Sequence, residues 1–301
     1  VRSVFLGTSE FAAAVLGRLA ASPHRPLLVV TPPDRRQGRG RRSGPPPTAL
    51  LAAELGIDLL QTEDVNDEGA LERIRAVRPE VVTVCAFGQL IREPLLSERP
   101  LLNIHPSLLP RWRGAAPIER AIMAGDARTG VSVMQVTAGL DSGPVALQEE
   151  MPIGPEDDFE SVSAKLATLS GEMLVEALDL QAAGNLTFVA QDDGEATYAE
   201  KIDSGERRLD PRRPAAELAR TVRALTPHVG AFLDLGQESR LGVRRARAVD
   251  VNVKQGEMKA EWGALLLGCG RGALRLEVVQ PPGGKPMGAD AYLRGHPVPV
   301  L

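Results

Sequence analysis

The first half of the chain alternates short, continuous apolar runs with stretches whose apolar residues recur at helical spacing. SVFLGT is an apolar run that stops at Gly7, and SEFAAAVLGRLAAS follows as a helix that Ser9 can cap. The alternation continues through strand LLVVT, helix PTALLAAELG, short strand DLLQT, helix EGALERIRAVR, and strands EVVTVCAFG and PLLNIHP. Strands of this continuous apolar kind predict burial on both faces, hence a mostly parallel sheet between helices. Helix APIERAIMAGD then leads into TGVSVMQVTAGLDSGPVALQEEMPI, two strands joined through a Gly-flanked Asp-Ser turn, and ESVSAKLATLSGEMLVEALDLQAAG reads as a long helix.

Past residue 184 the pattern changes. Residues 185–213 are polar and poor in periodic signal, which predicts a connecting segment. Beyond them, helix PAAELARTVRALT precedes short alternating strands with glycine turns, GAFLDL, SRLGVRRARAVDV and GALLLGCGRGALRLEVVQPPG, which predict a small β-barrel. The expected organisation is a first domain over 1–189, a linker over 190–208 and a second domain over 209–301. Within the first domain, PPDRRQGRGRRSGPPP (32–47) holds too much Gly, Pro and Arg to be anything but a loop.

A length of 301 residues supports two cores, and 25% charged with 43% hydrophobic residues excludes disordered and fibrous classes. The net charge of −4 conceals an asymmetry: residues 1–209 hold 21 basic and 30 acidic residues, residues 210–301 hold 14 and 9. A basic second part on an acidic first part points to a polyanionic partner for one region only. No apolar run reaches the ~20 residues of a membrane span, and VRSVFLGTSEF enters a strand rather than a secretory leader, so a cytoplasmic protein is expected. Cys85 and Cys269 sit in apolar, strand-like contexts and read as buried reduced thiols.

Asn103 and His105 are two positions apart in a strand, so they face the same side where the strand ends. Alone, such a pair is more ordinary as a polar strand end than as an active site. Asp141 in GLDSGP, alone, is a turn residue. Together the three can stabilise an oxyanion, move a proton and orient an imidazole. Of the four histidines, His24, His228 and His296 lie in loop-like, proline-flanked settings, which leaves His105 as the candidate for acid–base work. Arg35, Arg36, Arg39, Arg41 and Arg42 crowd one loop, a pattern suited to phosphate backbones or simply to a solvated loop. Dinucleotide and phosphate-loop glycine fingerprints and metal-ligand spacings are absent, so no metal is expected.

NIHPSLLPRWRGAAPI together with GLDSG is similar to the 10-formyltetrahydrofolate-dependent formyltransferases. FLGTSEFA resembles that family's opening, PPDRRQGRG its tRNA-contacting insertion, YAEKI its interdomain connection and AYLRGHP its ending, so the resemblance spans the chain. It implies an α/β fold: a Rossmann-like formyltransferase domain followed by an OB-like β-barrel that helps hold tRNA. The implied reaction moves a formyl group from 10-formyltetrahydrofolate, a co-substrate, to the α-amino group of initiator methionyl-tRNA, without a metal. The sequence shows no heptads or large apolar face that demands an oligomer, so a monomer is expected. The catalytic trio falls on Asn103, His105 and Asp141, with Asp141 expected to hold His105 in its productive tautomer. The folate-binding turn falls on Ser107, Leu108, Leu109 and Pro110, and the pterin pocket on Phe87, Gly88, Gln89 and Leu90. Arg39 is the key arginine of the tRNA loop. Phe87 stands where a Tyr is common, His228 stands where a Trp is frequent, and Trp112 and Arg113 could pack the turn or face the tRNA end. A formyltetrahydrofolate hydrolase or another folate-dependent formyltransferase is the alternative, and neither would need the basic loop or the second domain. A tRNA-binding protein without activity would lack the trio.

Overall fold

The apolar runs of the first half become strands with both faces covered. The computed structural model describes residues 1–37, 42–236, 239–261 and 263–301, without the side chains of 36, 37, 42 and 43. It opens with β1 (Ser3–Gly7), α1 (Glu10–Ala20) and β2 (Leu28–Thr31). An antiparallel pair, β3 (Arg35–Gln37) and β4 (Arg42–Gly44), precedes α2 (Pro47–Leu55), β5 (Asp58–Gln61), α3 (Glu68–Ala76) and β6 (Val81–Cys85). Next come α4 (Leu95–Glu98), β7 (Leu101–His105), β8 (Arg113–Gly114), α5 (Pro117–Ala124), β9 (Arg128–Gln135), β10 (Val145–Pro152) and α6 (Phe159–Ala182).

The chain divides into two compact units. The first comprises Val1–Gly114, Thr129–Met151 and Ser163–Tyr198, and the second comprises Ala115–Arg128, Pro152–Val162 and Ala199–Leu301. The division is therefore discontinuous in sequence, and α5 falls in the second unit. No run of hydrophobic residues signals such an excursion, because α5 is amphipathic wherever it packs.

The first unit is built on a seven-stranded sheet of order β10-β9-β7-β6-β1-β2-β5. Strands β7, β6, β1, β2 and β5 run parallel, and β9 pairs antiparallel with β7. Every residue of β1, β2 and β6 is buried. Helix α1 turns Ala12, Val15, Leu16 and Leu19 inward, and its N-terminus is closed by Ser9 Oγ, which accepts from the Ala12 amide at 3.2 Å. From β1 the chain proceeds to β2 and β5 on one side, then returns to β6 and β7 on the other. That reversal, between β1 and β6, opens a crevice at the carboxyl ends of the strands, where ligands bind in doubly wound sheets. The unit is a Rossmann-like α/β domain.

The segment 32–47 departs from the expected loop. Its two arms pair in register, Arg35 with Gly44 and Arg36 with Ser43. Antiparallel pairing satisfies main-chain groups that a loop would leave to water. Arg39 and Arg41 lie outside the described residues.

The second unit continues after β11 (Tyr198–Ala199) with α7 (Ala215–Leu225), β12 (Ala231–Asp234), β13 (Arg240–Val249), β14 (Met258–Glu261), β15 (Ala264–Gly268), β16 (Ala273–Gln280), β17 (Met287–Gly288) and α8 (Ala289–Gly295). Its antiparallel sheet runs β12-β13-β16-β15-β14, with β17 on β16. The described ladders leave the sheet open between β12 and β14, as in a partly open OB-like barrel. Leu218, Val222 and Leu225 of α7 meet Leu241, Val243, Leu265 and Leu276 in one core. On the other face of β15, Leu266 packs with Val253 and Ala273, which is why that strand is buried throughout. His228 is held in this unit, its ring stacked on Phe159 at 3.7 Å and its Nε2 3.0 Å from Glu119. The sequence pattern misses β14 and α8, since four residues with a charged outer face and a seven-residue helix carry little periodic signal.

Both cysteines are buried and free, and burial pushes the Cys269 thiol up to about 11 and that of Cys85 higher still. Among the described residues no helix is long and apolar enough to cross a membrane.

Candidate active site

β7 carries Asn103 and His105 between two neighbours, Asn103 lying opposite Val84 of β6 and Met134 of β9. The His105 side chain is only 5% exposed. Its Nε2 stands 2.8 Å from the Trp112 carbonyl. A carbonyl can only accept, so Nε2 carries the proton and donates it, which leaves Nδ1 as the unprotonated nitrogen of the neutral ring. Nδ1 faces Asp141 Oδ2 at 3.7 Å, beyond hydrogen-bond reach but within strong electrostatic range. The tautomer expected to be set by Asp141 is therefore set by a backbone carbonyl. The physical reason is distance, since only the Trp112 oxygen is close enough to fix a proton.

The turn after β7 holds both members of that pair. Trp112 has φ of 63° and Gly114 φ of 121°, left-handed conformations that aim successive main-chain groups in unusual directions. Trp112 directs its carbonyl at His105, and the Gly114 amide donates to Asp141 Oδ2 at 2.9 Å. Asp141 (φ 43°) and Ala86 (φ 43°) share the left-handed backbone, so three of the four non-glycine residues in that region belong to this site among the described residues. The Trp112 amide donates to Thr197 Oγ1 and the Arg113 amide to the Thr197 carbonyl, each at 2.9 Å. Arg111 places its guanidinium 4.4 Å from the Trp112 ring. Arg113 is buried, 4% exposed, with Nε donating to Gln191 and Nη2 to Asp193. Of the two roles open to Trp112 and Arg113, packing the turn is the one observed.

Ser107 to Pro110 form a second rigid turn. Ser107 is fully buried and its hydroxyl donates to the Arg111 carbonyl at 2.6 Å, so its side chain braces the turn from within. Ser132 on β9 donates to the Ser107 carbonyl at 2.7 Å and accepts from the Leu109 amide at 3.1 Å. Gln148 on β10 donates to both the Leu109 carbonyl and Ser132 Oγ. Leu109 is buried, while Leu108 and Pro110 are partly exposed.

At the crevice, Thr8 after β1 donates to the Phe87 carbonyl at 2.7 Å, joining the two strand ends. The Phe87 side chain is buried in the core with Ile91 and Leu95. Gln89 is committed to the neighbouring loop, accepting from the Val65 amide and donating to the Thr62 carbonyl, each at 2.8 Å. Gly88 is exposed and Leu90 is 65% exposed, an apolar side chain left facing solvent. Of the arginines, Arg35 is exposed and lies 3.7 Å from Glu63, and Arg36 and Arg42 are placed by backbone alone. Among the described residues no group of three acidic, His or Cys side chains could hold a metal ion.

Sequence reasoning misses Ser132, Gln148, Gln191 and Thr197. A polar residue inside the buried run of β9 is the one signal that could have flagged Ser132.

Arrangements of this kind, an amide and an imidazole on one strand with a carboxylate brought beside the imidazole at a switch-point crevice, suit transfer of an acyl-type group through an oxyanion. Residues 1–178 match the Formyl transferase family and residues 201–297 match Formyl transferase, C-terminal domain. The chain belongs to the formyl transferase family. Over 98% of its length it is 42% identical to the methionyl-tRNA formyltransferase of Methylococcus capsulatus, of which it covers 97%. In structure it resembles HypX from Aquifex aeolicus in complex with tetrahydrofolic acid, with a TM-score of 0.65 and 19% identity over 97% of this chain. It spans 46% of that longer chain. It also resembles WlaRD, a sugar 3N-formyl transferase solved in the presence of dTDP and 5-N-formyl-THF, with a TM-score of 0.67 and 14% identity over 92% of this chain and 97% of that one.

Ser132→Ala removes one hydroxyl and leaves the Ser107 carbonyl and the Leu109 amide buried without it, so we expect a loss of roughly 2–4 kcal/mol of stability. Urea denaturation measures it, and a midpoint equal to that of the parent protein contradicts the bracing role.

Proposed function

We propose that this chain transfers the formyl group of 10-formyltetrahydrofolate to the α-amino group of initiator methionyl-tRNA. The observation that carries this reading is Asp141 brought to 3.7 Å from His105, with Asn103 two positions away on the same strand, in a chain that matches a methionyl-tRNA formyltransferase over 98% of its length. Folate is the co-substrate: the partly exposed Leu108 and Pro110, with Gly88 and Leu90 at the crevice, suit the flat apolar face of a pterin. Ser107, Leu109, Phe87 and Gln89 act from behind, keeping both turns in place.

Attack by the uncharged amine on the formyl carbon places negative charge on the formyl oxygen and positive charge on the attacking nitrogen. The Asn103 amide donates to that oxygen, a role in which one donor typically contributes about 10²–10³ in rate. His105 enters the step with Nδ1 free, so it takes the amine proton there. The imidazolium so formed carries a proton on Nδ1 and lies beside the Asp141 carboxylate, which stabilises it. The proton then goes to the folate nitrogen as the carbon–nitrogen bond breaks, which returns His105 to its starting state and balances the transfer. Asp141 thus acts by its charge, and Trp112 supplies the orientation.

Arg35, Arg36, Arg39, Arg41 and Arg42 form the tRNA-facing element, and the second unit adds contacts along the RNA. One chain supplies the whole trio, so a monomer suffices, and the cytoplasm is where charged initiator tRNA meets its formylating enzyme.

Formyl transfer from labelled 10-formyltetrahydrofolate tests the reading. Label should appear on charged initiator tRNA and not on free methionine, and formate release without any acceptor contradicts it. In single turnovers, Asn103→Ala, His105→Ala and Asp141→Asn should each slow transfer by at least roughly 10²-fold. A near-normal rate removes that residue from the mechanism. Arg39→Ala should raise KM for tRNA and reduce the steepness of its salt dependence by about one ion, with KM for folate unchanged. A changed folate KM with tRNA use intact assigns the arginine loop elsewhere.

A further inference from the structure

The segment read as a linker reaches back into the site. Gln191 directs its side-chain Nε2 at two carbonyls of the Asp141 turn, that of Asp141 at 2.9 Å and that of Gly143 at 2.6 Å. Its Oε1 accepts from Arg113 Nε at 3.0 Å. These partners leave one orientation for the amide, because carbonyls cannot donate and a guanidinium cannot accept. The buried Arg113 is held in turn by Asp193 at 2.8 Å. The other side of the Asp141 turn is pressed against β9, where a Cβ on Gly143 would stand 1.9 Å from the Gln135 carbonyl. The turn is therefore gripped from two sides, and its carboxylate is aimed by Gly114. Asp141 holds a left-handed backbone, φ 43°, a region that non-glycine residues adopt infrequently.

We infer that Gln191 is a positioning residue for formyl transfer: it clamps the main chain of the Asp141 turn so that the carboxylate stays beside His105 Nδ1. The inference rests on the role given to Asp141 above. Gln191 touches neither reacting group, and its effect on rate passes entirely through Asp141.

Gln191→Glu is the informative variant. A carboxylate at this position still accepts from Arg113, which preserves the buried cation's partner, but it cannot donate to either carbonyl. Single-turnover transfer should fall roughly 10- to 100-fold, the scale of a misplacement near 1 Å. KM for folate and for tRNA should change less than about twofold, since both polar ends of the side chain are engaged by Arg113 and the Asp141 turn. In the Asp141→Asn background, Gln191→Glu should cost nothing further, because the charge it positions is already gone. A merely structural role would lower the rate in both backgrounds by the same factor. If Gln191→Glu does not fold, Gln191→Met, similar in shape and unable to donate, is compared in the same two backgrounds.

Wild-type rates for Gln191→Glu with a slow Asp141→Asn, or full additivity in the double variant, overturn the positioning role alone. A wild-type rate for Asp141→Asn overturns the reading of the site, and the positioning role with it.

Discussion

The short turn from Trp112 to Gly114 constrains the His105 imidazole and the Asp141 carboxylate at once through its main chain. Its carbonyl at Trp112 fixes the proton of His105 on Nε2, and its amide at Gly114 fixes one oxygen of Asp141. Both contacts require left-handed backbone, at φ of 63° and 121°. Such a turn persists only if its surroundings over-determine it. They do: Thr197 takes the amides of Trp112 and Arg113, Arg111 lies over the Trp112 ring, and the Arg113 side chain is anchored by Gln191 and Asp193. Flexibility in this turn would release the imidazole and the carboxylate together.

The two nitrogens of His105 consequently have separate tasks. Nε2 is structural, committed to a neutral acceptor that cannot take its proton. Nδ1 is the nitrogen to which the proposed mechanism gives the chemistry, with the Asp141 carboxylate 3.7 Å away. In the proposed mechanism that spacing lets the carboxylate stabilise an imidazolium without competing for the Nδ1 position. An aspartate bonded directly to Nδ1 would impose the opposite tautomer and remove the base.

Much of this was legible in the sequence, and what was not has a physical reason. Continuous apolar runs foretold β1, β2, β6 and β7 because a buried strand must be apolar on both faces, and Ser9 announced α1 through its capping chemistry. Asn103, His105 and Asp141 were visible because the role proposed for them rests on side-chain chemistry that a sequence displays. Trp112 was opaque because it acts through a carbonyl, which every residue possesses. Ser107 and Gln89 read as ligand-facing yet turn inward, since a turn that must stay rigid needs its own polar braces. Residues 190–198 looked like connection because a strap that bonds to main chain needs no apolar periodicity. The basic excess of the second part is also partly neutralised where it lies: Arg245 and Arg247 both pair with Glu277, at 2.8 and 3.3 Å.

The tautomer of His105 is the point on which the account turns, and it can be observed without substrate. Nitrogen NMR of the 15N-histidine-labelled protein, at a pH where the ring is neutral and with the resonance assigned by its loss in His105→Gln, reports which nitrogen carries hydrogen. The expected tautomer has a protonated Nε2 and a bare Nδ1. A proton on Nδ1 would contradict it, because the imidazole would then be held by Asp141 and could not take the amine's proton.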